Sequence, residues 1–421
     1  MKKSSLKALL AGTVAAGVMS APAVAADLDV APAKEYVEVG SFKGSILLPG
    51  TGISFKVGGY AKADYIFRFD NFAGSNSANS GQDSSASQFG VGLGGVTGAG
   101  GNRTRFHANQ SRLNFDARTT TDIGSARAFI EVDVNSGFGN SQSFSNRTAT
   151  TLRHAYVEIG IDSLGGSLLA GQNWSLFTDF NVYPNILDFN GPANQAFLRQ
   201  AQLRWTQPLS DALTFAISAE NPVGFVAGTN AGVDAVPDFI AALSYKSGAV
   251  SGRLSGVVTY QDPNNDSSLP ATTRDELLGW GIQASAKVKF GKDSVAIQGI
   301  YGQGIGRYIF TGATAGVIDS TNNIQEITQY GGIVHGQHFW SDKLHSSAWF
   351  AYTVVDSEDD DVTGARLNTG GSQIYTGANL IYNLRSNLTL GLEGLYTSVN
   401  SDADQVDRGF FSVQSSVQFS F

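Results

Sequence analysis

The last eleven residues alternate without a break. Phe411, Val413, Ser415, Val417, Phe419 and Phe421 share one parity; Ser412, Gln414, Ser416, Gln418 and Ser420 share the other. A period of two sends successive side chains to opposite faces of a strand, so one face is mostly apolar and the other wholly polar. The same alternation runs through Ile53, Phe55, Val57, Ala61, Ala63, Tyr65, Phe67 and Phe69 against Ser54, Lys56, Lys62, Asp64 and Arg68. It returns over Leu278–Phe290, Leu344–Val354 and Leu388–Tyr396. Soluble strands usually run about five or six residues. These runs are longer and reach the roughly 9–11 residues that a tilted strand needs to cross a bilayer.

The connections alternate as well. Short ones fall at Thr119–Ile123, Ile161–Gly166, Pro208–Ala212, Lys246–Ala249, Gly291–Asp293, Ser341–Lys343 and Arg385–Asn387. Long ones fall at Asp70–Asn102, Ser136–Thr148, Ser175–Ala196, Asn221–Val236, Asp262–Thr273, Gly304–Asn323, Asp356–Gly370 and Ser401–Gln405. Short periplasmic turns and long outer loops are the habit of outer-membrane barrels. The expected fold is all-β: a transmembrane antiparallel barrel of about 16 strands over residues 53–421.

Composition fits that frame. The chain of 421 residues has 50 Gly, no Cys and only 15% charged side chains, unlike an average soluble enzyme. Met1–Ala26 reads as a cleaved signal peptide, with Lys2, Lys3 and Lys7 before a short apolar core and Ala23-Val24-Ala25 as the cleavage site. Residues 27–52 read as a periplasmic lead-in. The formal charge is −8; without the three signal lysines, 25 basic groups face 36 acidic ones, giving −11. That balance argues against nucleic acid as a partner. Without Cys there are no disulfides or thiolate metal sites, and no cofactor is expected.

Inside a barrel the non-lipid parity lines the lumen. It holds Arg112, Asn114, Asp116 and Arg118; then Arg127, Glu131 and Asp133; then Gln200, Gln202 and Arg204. Residues 103–127, including Arg105, carry five Arg against two Asp, a positive segment set against the global sign. Guanidinium suits an anion path because its fork pairs carboxylates and it stays charged. Pairing of these arginines with neighbouring acids is the alternative, and the two are compatible. Arg153 and Arg199 have the other parity and are expected near strand ends or on the loop side. The third long loop, with Phe177, Asp179, Tyr183 and Asp188, is too apolar for a solvated loop and is expected to fold into the pore.

Other motifs fail on context. Gly90–Gly95 matches G-x-G-x-x-G without a flanking strand and helix. His335 and His338 would point to opposite faces of a strand, against a shared metal. The acidic run Asp356–Asp361 reads as a solvated loop.

The runs Arg103–Phe115, Ala128–Asp133, Leu152–Val157, Gly171–Phe177, Leu187–Pro192 and Arg199–Trp205 resemble the DcaP-like trimeric outer-membrane porins. The resemblance is dense over residues 53–206. It implies a homotrimer of sixteen-stranded barrels in a Gram-negative outer membrane, taking up small anions, dicarboxylates in particular. Some members carry a periplasmic coiled coil, for which Asp27–Gly52 is too short and Pro-rich. Glu35–Val39 with Leu48–Thr51 instead resembles a second porin family, whose segment leads into the first strand.

The function expected is an anion-preferring diffusion channel. Its partners are small anionic solutes, outer-membrane lipid and lipopolysaccharide, and further copies of the chain. A general non-selective porin is the alternative. An outer-membrane lipase is a different class, disfavoured because no outward His has a clear Ser partner.

Overall fold

Lipid leaves a spanning strand no partner for its backbone, so a membrane sheet must close on itself. In the computed structural model it does. The structure describes residues 38–71, 101–136, 149–188, 191–192, 195–223, 226, 236–262, 276–310, 314–360, 362–368, 370–402 and 406–421. The expected signal peptide, residues 27–37 of the lead-in, and residues 73–100 with the glycine motif lie outside the described residues.

The wall strands are β1 (Ser54–Asn71), β2 (Gly101–His107 continued by Arg112–Thr121), β3 (Gly124–Ser136) and β4 (Ala149–Ile161). Next come β5 (Gly166–Trp174), β6 (Arg199–Pro208), β7 (Leu213–Glu220), β8 (Asp238–Ser247) and β9 (Val250–Gln261). The rest are β10 (Leu277–Phe290), β11 (Asp293–Gln303), β12 (Thr328–Phe339), β13 (Leu344–Val355), β14 (Gly371–Arg385), β15 (Leu388–Ser401) and β16 (Val406–Ser420). Each pairs antiparallel with the next, and β16 pairs with β1. Both pieces of β2 pair with β1, and Ile46–Leu47 is a two-residue addition to β1. The wall therefore has sixteen strands. Phe421 completes the closure by exchanging backbone hydrogen bonds of 3.3 and 3.1 Å with Gly59.

Burial follows parity. On β10, Leu278, Trp280 and Ile282 are exposed while Leu277, Gly279, Gly281 and Gln283 are buried. Outward Trp280, Tyr301 and Tyr330 contact one another along one rim, with ring centroids 5.6 and 6.2 Å apart, as an interfacial girdle requires.

The inward face is not uniformly polar. Ile240, Ala242, Val257 and Ile300 form a buried cluster with Leu176 and Phe177 of the third loop, and with Ile305, Tyr308 and Ile309 of the sixth. A second cluster joins inward Ile66, Ile333, Trp349, Ala351, Tyr375 and Leu395 to Ile186 of the third loop. The third loop thus folds into the barrel, and so does the start of the sixth, which the sequence reading left outside. Tyr308 is fully buried; its hydroxyl donates to Asp238 at 2.7 Å, beside an Arg307–Asp238 pair at 2.7 Å.

The acidic run is not simply solvated. Asp360 is buried and accepts bonds from the backbone N–H groups of Thr363, Ser320 and Val362, tying the sixth and seventh loops together. Those bonds, led by Thr363 and Ser320, hold its carboxyl far below the usual range.

Candidate functional site

A chain segment inside a barrel brings amides and carbonyls that water no longer serves, so the wall must meet them. Among the described residues, the third loop is met at several points along its length. Leu176 N–H donates to Glu220 on β7 at 2.8 Å, and Arg253 on β9 donates to the Leu176 carbonyl. Asp179 caps the short turn Phe180–Val182 and accepts from Ser285 on β10 at 2.6 Å. His335 on β12 donates to the Val182 carbonyl at 2.9 Å, and Asn379 on β14 to that of Asn185 at 2.7 Å.

At the far end, buried Glu393 on β15 accepts the N–H groups of Leu187 and Asp188 at 2.7 and 3.1 Å. The Leu187 carbonyl accepts from Lys62 on β1 and Gln414 on β16 at 2.8 and 3.0 Å. Gln110, in the break between the two pieces of β2, also reaches that carbonyl at 3.4 Å. The Arg103–Phe115 motif therefore marks an interrupted strand whose bend delivers Gln110 to the loop.

The loop is thus fastened along β7–β16 and β1, and the opposite wall, β2–β5, faces a cavity of about 480 Å³. Arg112, Arg127, Glu131, Arg153 and His154 line it from the wall, and Phe180, Tyr183 and Phe197 from the loop. Trp174 anchors the loop side, with ring centroids 4.4 Å from Phe180 and 4.8 Å from Phe197. Gly191 takes φ +75°, and a Cβ there would sit 2.0 Å from the Tyr183 hydroxyl, so this turn needs glycine to admit the ring. Burial raises the Tyr183 hydroxyl pKa above its usual value, so it presents no charge.

The charges on the wall are layered. Arg118 and Arg127 stand directly opposite each other in register, a repulsive pairing. Asp116 resolves it by accepting two hydrogen bonds from each guanidinium, between 2.7 and 3.0 Å. Two guanidiniums on one carboxylate leave one positive charge in excess. Above them Arg153, its side chain 2% exposed, binds Glu131 and Asp133, both at 2.7 Å. Arg112 lies 3.7 Å from the same Glu131.

Arg153 corrects the sequence reading, which put it near a strand end or on the loop side. It lies within the wall and faces the lumen. The register between β3 and β4 shifts at Glu131/Val132, where Glu131 pairs with His154 and Val132 with Leu152. Arg153 is the extra residue of this β-bulge, and a bulge re-aims side chains. Arg199 does lie at a strand end, its guanidinium carbon 4.8 Å from the centroid of the Trp174 ring.

Of the other expected residues, Arg112, Arg127 and Glu131 line the cavity, with Arg118, Asp116 and Asp133 in contact with that set. Arg105 lies opposite Ile66 on the upper piece of β2, outside the lining. Arg204 is also outside it, donating to Gln202 at 2.8 Å and to the Trp174 carbonyl. On the loop, only Tyr183 of the expected four faces the cavity. Phe177 is fully buried, Asp179 turns to Ser285, and buried Asp188 accepts from Tyr375 at 3.0 Å. Their backbone turns are committed to the wall, which carries those side chains away from the pore.

The sequence matches the model of a porin subfamily over residues 27–418. Porin Omp2b of Brucella canis is 28% identical over 271 residues, 61% of this chain and 66% of that protein. The match therefore spans just under two thirds of that relative's length. Among solved structures, the outer membrane channel DcaP of Acinetobacter baumannii aligns with a TM-score of 0.70 at 20% identity. That alignment covers 91% of this chain and 100% of the other. An anion-selective porin from Comamonas acidovorans aligns with a TM-score of 0.56 at 12% identity, over 88% of this chain and 100% of the other. At these identities the two structures share the fold.

The bulge arginine gives a direct test. Arg153→Ala removes the guanidinium that Glu131 and Asp133 share and costs about 3–5 kcal/mol. The barrel then unfolds at a lower temperature, read as the heat-induced shift on a denaturing gel. Arg153→Lys, which keeps the charge but not the fork, recovers part of that loss.

Proposed function

The chain belongs to the porin subfamily and is a Gram-negative outer-membrane protein, and from that premise we propose that it is a passive diffusion channel favouring small anions. One observation carries the reading: three guanidiniums line the cavity, and Glu131 is the one carboxylate lining it among the described residues. Glu131 is engaged by Arg153 and Arg112. The loop side offers rings, not acids. An ion threading this gap passes within a few ångströms of the cations, closer than the roughly 8–10 Å over which salt screens charge. The name of the Comamonas acidovorans porin, anion-selective, agrees with this direction. Dicarboxylates suit the gap, because one carboxylate can meet Arg112 while the other meets the positive excess that Arg118 and Arg127 share over Asp116.

Zero-current potentials in a KCl gradient across a planar bilayer test it. The wild type gives the sign of chloride preference. Arg112→Ala with Arg127→Ala moves the potential toward zero or past it, and Asp116→Asn moves it the other way. A cation-preferring wild type refutes the anion reading and leaves a general porin.

We also propose a homotrimer joined through the outer face of β2–β6. That face sets Ala117, Ala128, Ala155, Ala170 and Ala201 among exposed Phe115, Ile130, Leu152 and Leu203, and Gln172 caps the bulge carbonyls there with bonds of 2.8 and 3.3 Å. Native mass spectrometry in detergent should give trimers for the wild type. Ala128→Trp should shift them to monomers, and Gly299→Trp on β11 should not. The opposite pattern would place the contact on the far wall.

A further inference from the structure

The lead-in does more than enter the first strand. Val39 bridges to Ile46, and Ile46–Leu47 pairs with Phe55 and Ser54. Between them, residues 40–45 turn back on themselves. Gly40 N–H donates to the Ser45 carbonyl at 2.9 Å, and Ser45 returns its N–H and its hydroxyl to the Phe42 carbonyl at 3.0 and 2.6 Å. Gly44 takes φ +77° to close the turn.

This hook meets the lumen and not the lipid. Ser41 N–H donates to the Ser54 hydroxyl at 2.8 Å. Ser54 is buried on the inward parity and is the register partner of Arg118. The Phe42 ring lies 4.2 Å from the Arg118 guanidinium carbon, a cation–π distance. Arg118 thus spends its edge on Asp116 and one face on Phe42.

We propose that the hook Gly40–Ser45 is a collar at the periplasmic mouth that narrows the exit and covers one face of Arg118. The collar sets the conductance of the inner mouth and tempers the positive charge there, while Arg112, Arg127 and Arg153 at the cavity keep theirs. Phe42 is in this sense a specificity-determining residue of the channel. The inference rests on the lumen being the conduction path, and it does not require that anions be preferred.

The chain has no cysteine, so Ser41→Cys introduces a single thiol. Only the Ser41 backbone makes the bond to Ser54, so the substitution preserves the hook. Single-channel current is recorded in a planar bilayer while a sulfonate-bearing methanethiosulfonate is added to each side in turn. The collar predicts a stepwise loss of current, faster on addition from one side than from the other because the small anionic reagent can also cross the pore. It also predicts that Phe42→Ala conducts more than the wild type and gains chloride preference, a gain that Phe42→Ala/Arg118→Ala does not show.

Complete labelling, confirmed by mass, with unchanged current overturns the collar, as does a Phe42→Ala channel with wild-type conductance. A wild type that conducts but prefers cations refutes the anion reading and leaves these conductance tests intact. A wild type that does not conduct refutes both.

Discussion

The structure depends on one constraint: a polypeptide drawn through a barrel must have its backbone polar groups met by the wall. An amide or carbonyl left alone there costs about 1–3 kcal/mol, and the third loop brings many. Glu393, Asn379, His335, Lys62 and Gln414 are buried polar side chains whose partners are loop backbone atoms. Between them the inward apolar residues of β8–β15 and β1 supply dry contact for Leu176, Phe177 and Ile186. Anchoring the loop therefore consumes most of the inner circumference. What is left over is the arginine-rich wall β2–β5, which faces the cavity proposed as the pore.

This division also supports the positive sign proposed for the site. A loop held by its backbone turns its acids toward the donors that hold it, so Asp179 and Asp188 face Ser285 and Tyr375. Phe180, Tyr183 and Phe197 remain for the lumen, while Phe177 packs into the wall. The wall opposite then needs only a modest excess of guanidinium over carboxylate to give the gap a positive potential. Asp116 and Glu131 keep the arginines in place at the cost of part of that excess.

Much of this was legible in the sequence, and the reason is lipid. A bilayer enforces strict alternation on every strand, so the barrel and the inward placement of Arg112, Asp116, Arg118, Arg127 and Glu131 follow from parity, and the sixteen strands follow from the alternating short and long connections. Parity misleads where the ladder slips. On β4 the outward apolar series changes from Leu152 to Ala155, Val157 and Ile159, even to odd, and Arg153 sits at the change. On β2 it changes from Phe106 to Leu113 and Phe115, and the break that bears Gln110 sits there. A parity switch inside a strand is thus a readable sign of a bulge. Two further signals were present but unused. Inward Ile240, Val257, Ile300 and Ile333 mark the wall that receives a loop, and the apolar run Ile305, Tyr308, Ile309 marks the sixth loop as infolding by the criterion applied to the third. Which way Asp179 and Asp188 turn depends on partners more than 100 positions away and had no local sign.

The central claim is that the gap between β2–β5 and the third loop is a binding path for anions. Anomalous diffraction from paired crystals, one set soaked in bromide and one in rubidium, tests it most directly. The account predicts bromide peaks beside Arg112, Arg127 and Arg153 and no rubidium peak among them. Rubidium bound at Glu131, with no bromide in the gap, would contradict it.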